Sequence, residues 1–275
     1  CFVQERSGAV PTVSEIEQAL FRLAPKELAM AWDNVGHLEG NPKQSVQRLL
    51  VALDVTEAVV SEAEEKGCQL IVSHHPLMNV RWHEKELQSL RPDRYLGHLL
   101  RRLVKADISV ISMHTNLDIA PGGVNDALAE ALRIEDPGPL PGDADHLCRM
   151  GHLQNAIKLS DFADTVCEAL GANGVRYAGS RPVQCVAVGG GACGDYIDTV
   201  IAAGCDTFVT SDLTYHQFLD AVPKGINLID AGHFPTEDPV CAKLVAYLKN
   251  EFSQLAVFKS TSHKEVIQYI VKGEN

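Results

Sequence analysis

No stretch of this 275-residue chain approaches the ~18 consecutive apolar residues that a bilayer-spanning helix requires, so no membrane-crossing helix is expected. No Cys-x-x-Cys pair occurs among the eight cysteines, which excludes a paired-thiol motif; Cys68, Cys167, Cys185, Cys205 and Cys241 stand singly. Isolated cysteines of this kind read as small buried hydrophobes in a reduced compartment, and the cytoplasm is the expected location. The opening residues lack the basic start, apolar centre and cleavage site of a secretory signal, and residues 1–10 read as a ragged start. Nor is there a basic stripe to overcome a formal net charge of −12, which repels a phosphate backbone. Nucleic acid is therefore not expected as a main partner, although a local positive site, bound metal included, could hold a single nucleotide. G-x-S-x-G and Walker A sequences are missing, and His83-Glu84-Lys85-Glu86-Leu87 lacks the second histidine of a zinc-peptidase helix.

What is present is an ordinary globular composition, 45% hydrophobic and 22% charged, long enough for one large core or two ordinary ones. Against that background five of the eleven histidines fall at the ends of four short apolar runs. Leu70-Ile71-Val72-Ser73 leads into His74-His75, and Ile108-Ser109-Val110-Ile111-Ser112 into His114 and Asp118. Thr207-Phe208-Val209-Thr210 leads into Asp212 and His216, and Ile226-Asn227-Leu228-Ile229 into His233 and Glu237. Short β-branched runs bounded by Gly, Pro or Asp are how buried strands of an α/β sheet read. Ligands of such sheets gather at the carboxyl ends of the strands.

Helix and strand signals alternate throughout, which predicts α/β architecture. Helices are expected at 13–23, after a Thr56 cap up to Gly67, near 93–104, up to Leu132, at 160–170 and at 237–252, with strands at 49–53 and 265–271 beside the four runs above. An irregular charged stretch with Trp82 separates the first histidine pair from the helix near 93–104. The Pro/Gly/Asp-rich segment 135–143 is the one clear composition break and reads as a boundary or linker. Gly67-Cys68 and Gly204-Cys205 each end a helix and enter an apolar strand that stops at polar residues, a loose internal echo.

Adjacent residues on a strand face opposite ways, so His74 and His75 can address one site only past the strand end, where Pro76 favours a turn. His114…Asp118 and His233…Glu237 repeat a His–carboxylate spacing of four. Pro235 argues against a helix interior in the second, and a strand-end histidine followed by a carboxylate opening the next element is the better picture. Each pair alone could equally be a cap and a structural histidine. Together they offer three or four imidazoles and two carboxylates, enough for two metals sharing a carboxylate; imidazole with carboxylate suits Zn, Fe, Mn, Co or Ni without choosing among them. The Gly189-Gly190-Gly191-Ala192-Cys193-Gly194 turn matches G-x-G-x-x-G, with Asp212 downstream. Its position in mid-chain favours a tight strand-to-helix turn over a dinucleotide site. Trp32-Asp33-Asn34 reads as packing plus an Asx turn, and Tyr215-His216 as an acid/base pair or a structural one.

In combination, Trp32-Asp33-Asn34-Val35-Gly36, Ser73-His74-His75-Pro76-Leu77, His114-Thr115-Asn116-Leu117-Asp118, Pro121-Gly122-Gly123-Val124-Asn125, Gly189-Gly190-Gly191 and Asp230-Ala231-Gly232-His233-Phe234-Pro235-Thr236-Glu237 resemble the Nif-three-like family of dinuclear metal-centre proteins, also labelled GTP cyclohydrolase I type 2 homologues. The segments occur in order through most of the chain. His37 departs from the aliphatic residue usual there.

That resemblance implies a single unit over 1–275 built of two intertwined, similar three-layer α/β/α halves with mixed sheets, roughly 11–134 plus 235–275, and 144–234. It implies a short form of the family in which 135–143 joins the halves, a homohexameric toroid, and two divalent transition-metal ions per chain. Carried over by position, His74 and Asp118 hold one ion, His75 and His233 the other, and Glu237 bridges, with His114 close by. The function expected is a metal-dependent hydrolase that turns an activated water on a small nucleotide-like or phosphoester substrate, with His114, Tyr215 or His216 shuttling the proton. The alternative is a non-catalytic, metal-stabilised oligomeric binding or scaffold protein.

Overall fold

The computed structural model describes residues 10–78 and 90–270. The ragged start, the stretch with Trp82, the His83–Leu87 segment and the end of the expected last strand at Val271 lie outside the described residues. The chain forms two compact units, Cys1–Ala120 with Cys241–His263, and Pro121–Val240 with Lys264–Asn275. It therefore passes between them three times, and neither unit is one continuous stretch.

In the first unit a five-stranded mixed sheet has the order β1-β4-β3-β2-β11, from β1 (Gly36–Glu39), β2 (Arg48–Ala52), β3 (Leu70–Ser73), β4 (Ser109–Ser112) and β11 (Ala256–Lys259). The strands β11, β2, β3 and β4 run parallel and β1 closes the edge antiparallel to β4. Every residue of β3 and β4 is buried, as expected of strands covered on both faces. Leu50, Ala52, Ile71 and Val110 pack beneath α2 (Glu57–Lys66) and α3 (Tyr95–Ala106) through Val59, Val60, Ala63, Leu99 and Leu103. The alternate residues Leu49, Val51, Leu70, Val72 and Ile111 face the other way and are equally buried. On that account a second helical layer is needed, and α1 (Val13–Leu23) and α10 (Pro239–Glu251) are tied together where the Tyr247 hydroxyl donates to the Ala19 carbonyl. Thr12 and Glu15 form a capping box at the start of α1, and Thr56 accepts from the Val59 N–H to start α2, which Gly67 ends in the left-handed conformation.

The second unit carries a six-stranded mixed sheet, β5-β6-β8-β9-β10-β7. Its strands are β5 (Glu135–Pro139), β6 (Arg149–Ile157), β7 (Arg176–Ala178), β8 (Val183–Val188), β9 (Thr207–Thr210) and β10 (Asn227–Asp230). Parallel β8, β9 and β10 form its centre. Val186, Val188, Val209 and Ile229 face α5 (Val124–Ala131) and α6 (Leu159–Leu170), while Ala187, Phe208 and Leu228 face α7 (Ile197–Ala202) and α8 (Tyr215–Lys224). Period-two alternation along the central strands thus builds two apolar layers from one sheet. The fold is the mixed α/β arrangement of two similar halves that the sequence predicts.

Two local expectations fail and one is refined. The Pro/Gly-rich break is no linker over 135–139: it is β5, an edge strand pairing only with β6, where Pro137 and Pro139 are tolerated because an edge leaves N–H positions free. No strand forms over 265–270; the last one is β11, earlier in the chain. Pro235 does lie in a helix, α9 (His233–Glu237), but in its first turn, where no intrahelical N–H bond is due.

Candidate metal centre

Parallel pairing sets the first unit's donors side by side. Ser73 is in register with Ser112, so β3 and β4 end level, one releasing His74-His75 and the other Met113-His114. Past the strand ends the backbone is pinned: the His75 N–H donates to the Leu53 carbonyl at 2.9 Å, and the Met113 N–H to the Ser73 carbonyl at 2.9 Å. The Ser73 and Ser112 hydroxyls lie 2.8 Å apart, and both reach the His75 carbonyl. The turn after β3 brings the two adjacent imidazoles together, with ring centroids 4.9 Å apart for His74–His75, 5.1 Å for His74–His114 and 5.6 Å for His75–His114. The three rings form a group whose donor atoms lie within 4.8 Å of one another, close enough to share one ion.

Each ring is held through Nδ1. His74 Nδ1 is 2.8 Å from the Met113 carbonyl, His75 Nδ1 is 2.8 Å from Asp54 Oδ1, and His114 Nδ1 is 2.9 Å from Asp33 Oδ1. An oxygen at Nδ1 holds the proton there and leaves the Nε2 lone pair for a cation, the arrangement by which metal-binding histidines are oriented and made more basic. Asp118, in the first turn of α4 (Thr115–Ile119), brings Oδ1 to 3.5 Å from His74 Nε2. The donor set of three imidazoles and a carboxylate fits a divalent transition metal.

Asp33 is itself tightly held. Burial works to raise its pKa, but the bond and charge of His114 and the N–H and hydroxyl of Thr115 outweigh that and hold the carboxyl down to about 2. It thus stays ionised beside His114 at any ordinary pH.

The second unit supplies His233 and Glu237 from opposite ends of α9. His233 Nδ1 is 2.6 Å from Asp212 Oδ2, and its Nε2 is 3.3 Å from Glu237 Oε2. Burial disfavours the imidazolium, yet Glu237 and Asp212 more than offset it and raise the His233 pKa to about 11. In this arrangement a proton lies where the donor chemistry would equally seat a metal cation. The Gly189–Gly191 turn closes over these residues: Gly191 has a positive φ of 67°, its N–H donates to the Thr236 hydroxyl, and any Cβ there would strike Glu237 Oε1. A Cβ on Gly190 would come within 2.9 Å of Val124. The glycines therefore make room for the chain's own Glu237 and Val124, as the tight-turn reading expects.

Of the sequence-predicted residues, His74, His75, His114 and Asp118 come together in the first unit, and His233 with Glu237 in the second. Tyr215 and His216 are exposed on the first turn of α8, their rings 5.4 Å apart, and join no donor group among the described residues. Sequence reasoning missed Asp33 and Asp54 as the carboxylates that orient His114 and His75, and left Asp212 without a role. Asp54 and Asp212 follow apolar strands as the histidines do, so the same strand-end signal marked them. Asp33 had only the turn signal.

Comparison with known proteins follows this geometry. Residues 11–265 match the family described as Duf34/NIF3 (NGG1p interacting factor 3). A GTP cyclohydrolase 1 type 2 homolog of Clostridium perfringens is 31% identical over 266 residues, covering 94% of this chain and 99% of the relative. One from Streptomyces coelicolor is 37% identical over 243 residues, covering 84% of each. Among solved structures, the Bacillus cereus protein related to NIF3 superposes with a TM-score of 0.87 at 25% identity, over 95% of this chain and 99% of that one. The Staphylococcus aureus protein SA1388 does so at 0.86 and 29% identity, over 95% and 100%.

Proposed function

The chain belongs to the Duf34/NIF3 family, and on that premise we propose that it binds two divalent transition-metal ions and hydrolyses a small nucleotide-like or phosphoester substrate. What carries the reading is the trio of His74, His75 and His114, each fixed at Nδ1 so that Nε2 is left for a cation. Following the resemblance, His74 and Asp118 would hold one ion and His75 and His233 the other, with Glu237 the carboxylate available to both.

When bound, divalent ions supply the positive charge that brings the pKa of water from about 15.7 toward about 7, making a nucleophile available at neutral pH. The protein's part is orientation and charge. Asp54, Asp33 and the Met113 carbonyl keep the imidazoles in the tautomer that presents Nε2, and Asp212 does the same for His233. We assign the passing of a proton to His114, with Asp33 behind it; Tyr215 and His216 are exposed and belong to no donor group among the described residues.

Elemental analysis of protein prepared without chelator, or reconstituted afterwards, should give two transition-metal ions per chain. Glu237→Ala should lose both ions and His74→Ala mainly one; equal losses would remove the shared-carboxylate assignment. Turnover is tested by screening the metal-loaded protein against nucleotides and phosphoesters. Tight metal binding with no hydrolysis anywhere in the screen would leave the family's metal site in place as a structural element of a binding protein.

A further inference from the structure

Cysteines that the sequence shows only singly come together where two strands begin in the second unit. Cys185 lies near the start of β8, and Cys205 sits just before the parallel neighbour β9. Their sulfurs are 3.5 Å apart, the Cys185 thiol donating to the Cys205 sulfur. The backbone around them is locked. Asp206 N–H donates to the Cys185 carbonyl at 3.0 Å, and the Asp206 carboxylate accepts from the Gln184 and Cys185 N–H groups at 3.0 and 2.8 Å. Thus one residue beside Cys205 bonds the backbone on both sides of Cys185 and fixes the spacing of the two strand starts from which the sulfurs project.

Both thiols are reduced in this structure. Cys205 is buried and Cys185 partly exposed, so a small reagent from solvent reaches Cys185 first. No cysteine belongs to a group of three metal donors among the described residues, which speaks against a sulfur-held ion here. Two adjacent sulfurs on a fixed frame are suited instead to bonding with each other: a disulfide needs about 2.05 Å, so closure asks for about 1.5 Å of sulfur movement, within reach of side-chain rotation.

We propose that Cys185 and Cys205 are a hydroperoxide-oxidisable pair that closes to an intrachain disulfide. Cys185 sulfur attacks the peroxide O–O bond, takes one oxygen to become a sulfenic acid, and the departing oxygen leaves with the thiol proton as water or alcohol. Cys205 sulfur then attacks Cys185 sulfur. The S–O bond breaks, and the hydroxyl leaves with the Cys205 proton as water. Two thiols lose two electrons and two protons, and the hydroperoxide is reduced to an alcohol (or water) with one further water formed. Burial and the neighbouring Cys185 push the Cys205 thiol up, which disfavours its meeting the peroxide itself; its part in the second step comes from its place 3.5 Å from the Cys185 sulfur.

The test is treatment of the whole, folded protein with hydrogen peroxide, then alkylation under denaturing conditions and digestion with trypsin and an Asp-N protease. Those cleavages separate residues 177–194 from 198–205. The expected result is two fewer alkylatable thiols per chain and a cross-link between the two fragments, assigned to Cys185 by fragmentation and dissolved by dithiothreitol. In Cys205→Ala the Cys185 sulfenic acid should be trapped by dimedone, and in Cys185→Ala Cys205 should remain fully alkylatable. An unchanged thiol count in the wild-type protein, a cross-link through Cys193, or dimedone capture of Cys185 as complete in the wild type as in Cys205→Ala would overturn the pair. The wild-type measurement decides the matter even if a variant fails to fold.

Discussion

Isosteric replacement of Asp33 separates charge from shape behind His114. Asp33→Asn keeps an oxygen near the Thr115 N–H but removes the anion that makes the His114 imidazole a better donor. With the fold and the metal content unchanged, turnover by the metal-loaded protein should fall about 10- to 100-fold, the usual effect of losing such a partner; loss of metal instead would place His114 among the ligands. Gly191→Ala tests the other unit, because its Cβ would meet Glu237 Oε1 at a backbone φ of 67° that disfavours any side chain. It should cost on the order of 1–3 kcal/mol in chemical denaturation from backbone strain alone, and displace Glu237 as well. At this scale the ligand types were legible because histidines at strand ends are conspicuous. Their carboxylate partners were not assigned to them: Asp54 carried the strand-end signal but follows a different strand from His75, Asp33 carried only a turn signal, and only the parallel register of β3 and β4 brings the rings they hold beside each other.

Among whole elements, the clearest electrostatic contribution belongs to α2. Its buried Glu62 accepts from the Ser260 hydroxyl at 2.6 Å and from the Thr261 and Ser262 N–H groups, tying down the chain just after β11. Burial opposes the charge, but these bonds prevail and lower its pKa from 4.5 to about 2. A carboxyl depressed in the folded state stabilises fully above its unfolded pKa and loses that contribution as pH falls through the folded value. The stability gap between wild type and Glu62→Gln, read from urea titrations, should therefore be on the order of 2–3 kcal/mol above pH 5 and shrink steadily toward pH 2; a gap independent of pH would refute the clamp. Elements with β-branched or periodic patterns were legible, and so were the Thr56 and Gly67 boundaries. β5 and β6 were not. The first is proline-rich and sits at an edge, the second lacks an apolar alternation, and Gly151 permits their close approach where a Cβ would stand 2.5 Å from the Glu135 carbonyl.

At the scale of the whole molecule we propose a hexamer, on the family resemblance. Six copies at −12 each would sum to about −72 before metal is counted, so the contacts between them must be apolar or ion-paired. Light scattering at micromolar concentration in metal-containing buffer should give a hexamer that persists as salt is raised, because screening weakens the repulsion between copies. A monomer under those conditions would overturn the ring and the enclosed site that goes with it. Apolar residues exposed on α8, Leu219 and Val222, and on the terminal stretch, Val266 and Ile270, are surface that such an assembly could cover.

The three crossings between units also govern the order in which the newborn chain can fold. When residue 120 has left the ribosome the first unit still lacks α10 and the edge strand β11, both of which lie beyond the whole central part of the second unit. Domains commonly fold in turn as they emerge, the N-terminal one first. Here that sequence is blocked: the nascent first unit must wait, with the β2 edge uncovered, until translation has passed residue 263. A ribosome stalled after Val240 would carry a first-unit sheet that lacks only its fifth strand, and the β2 edge left open there is a template for pairing with other chains.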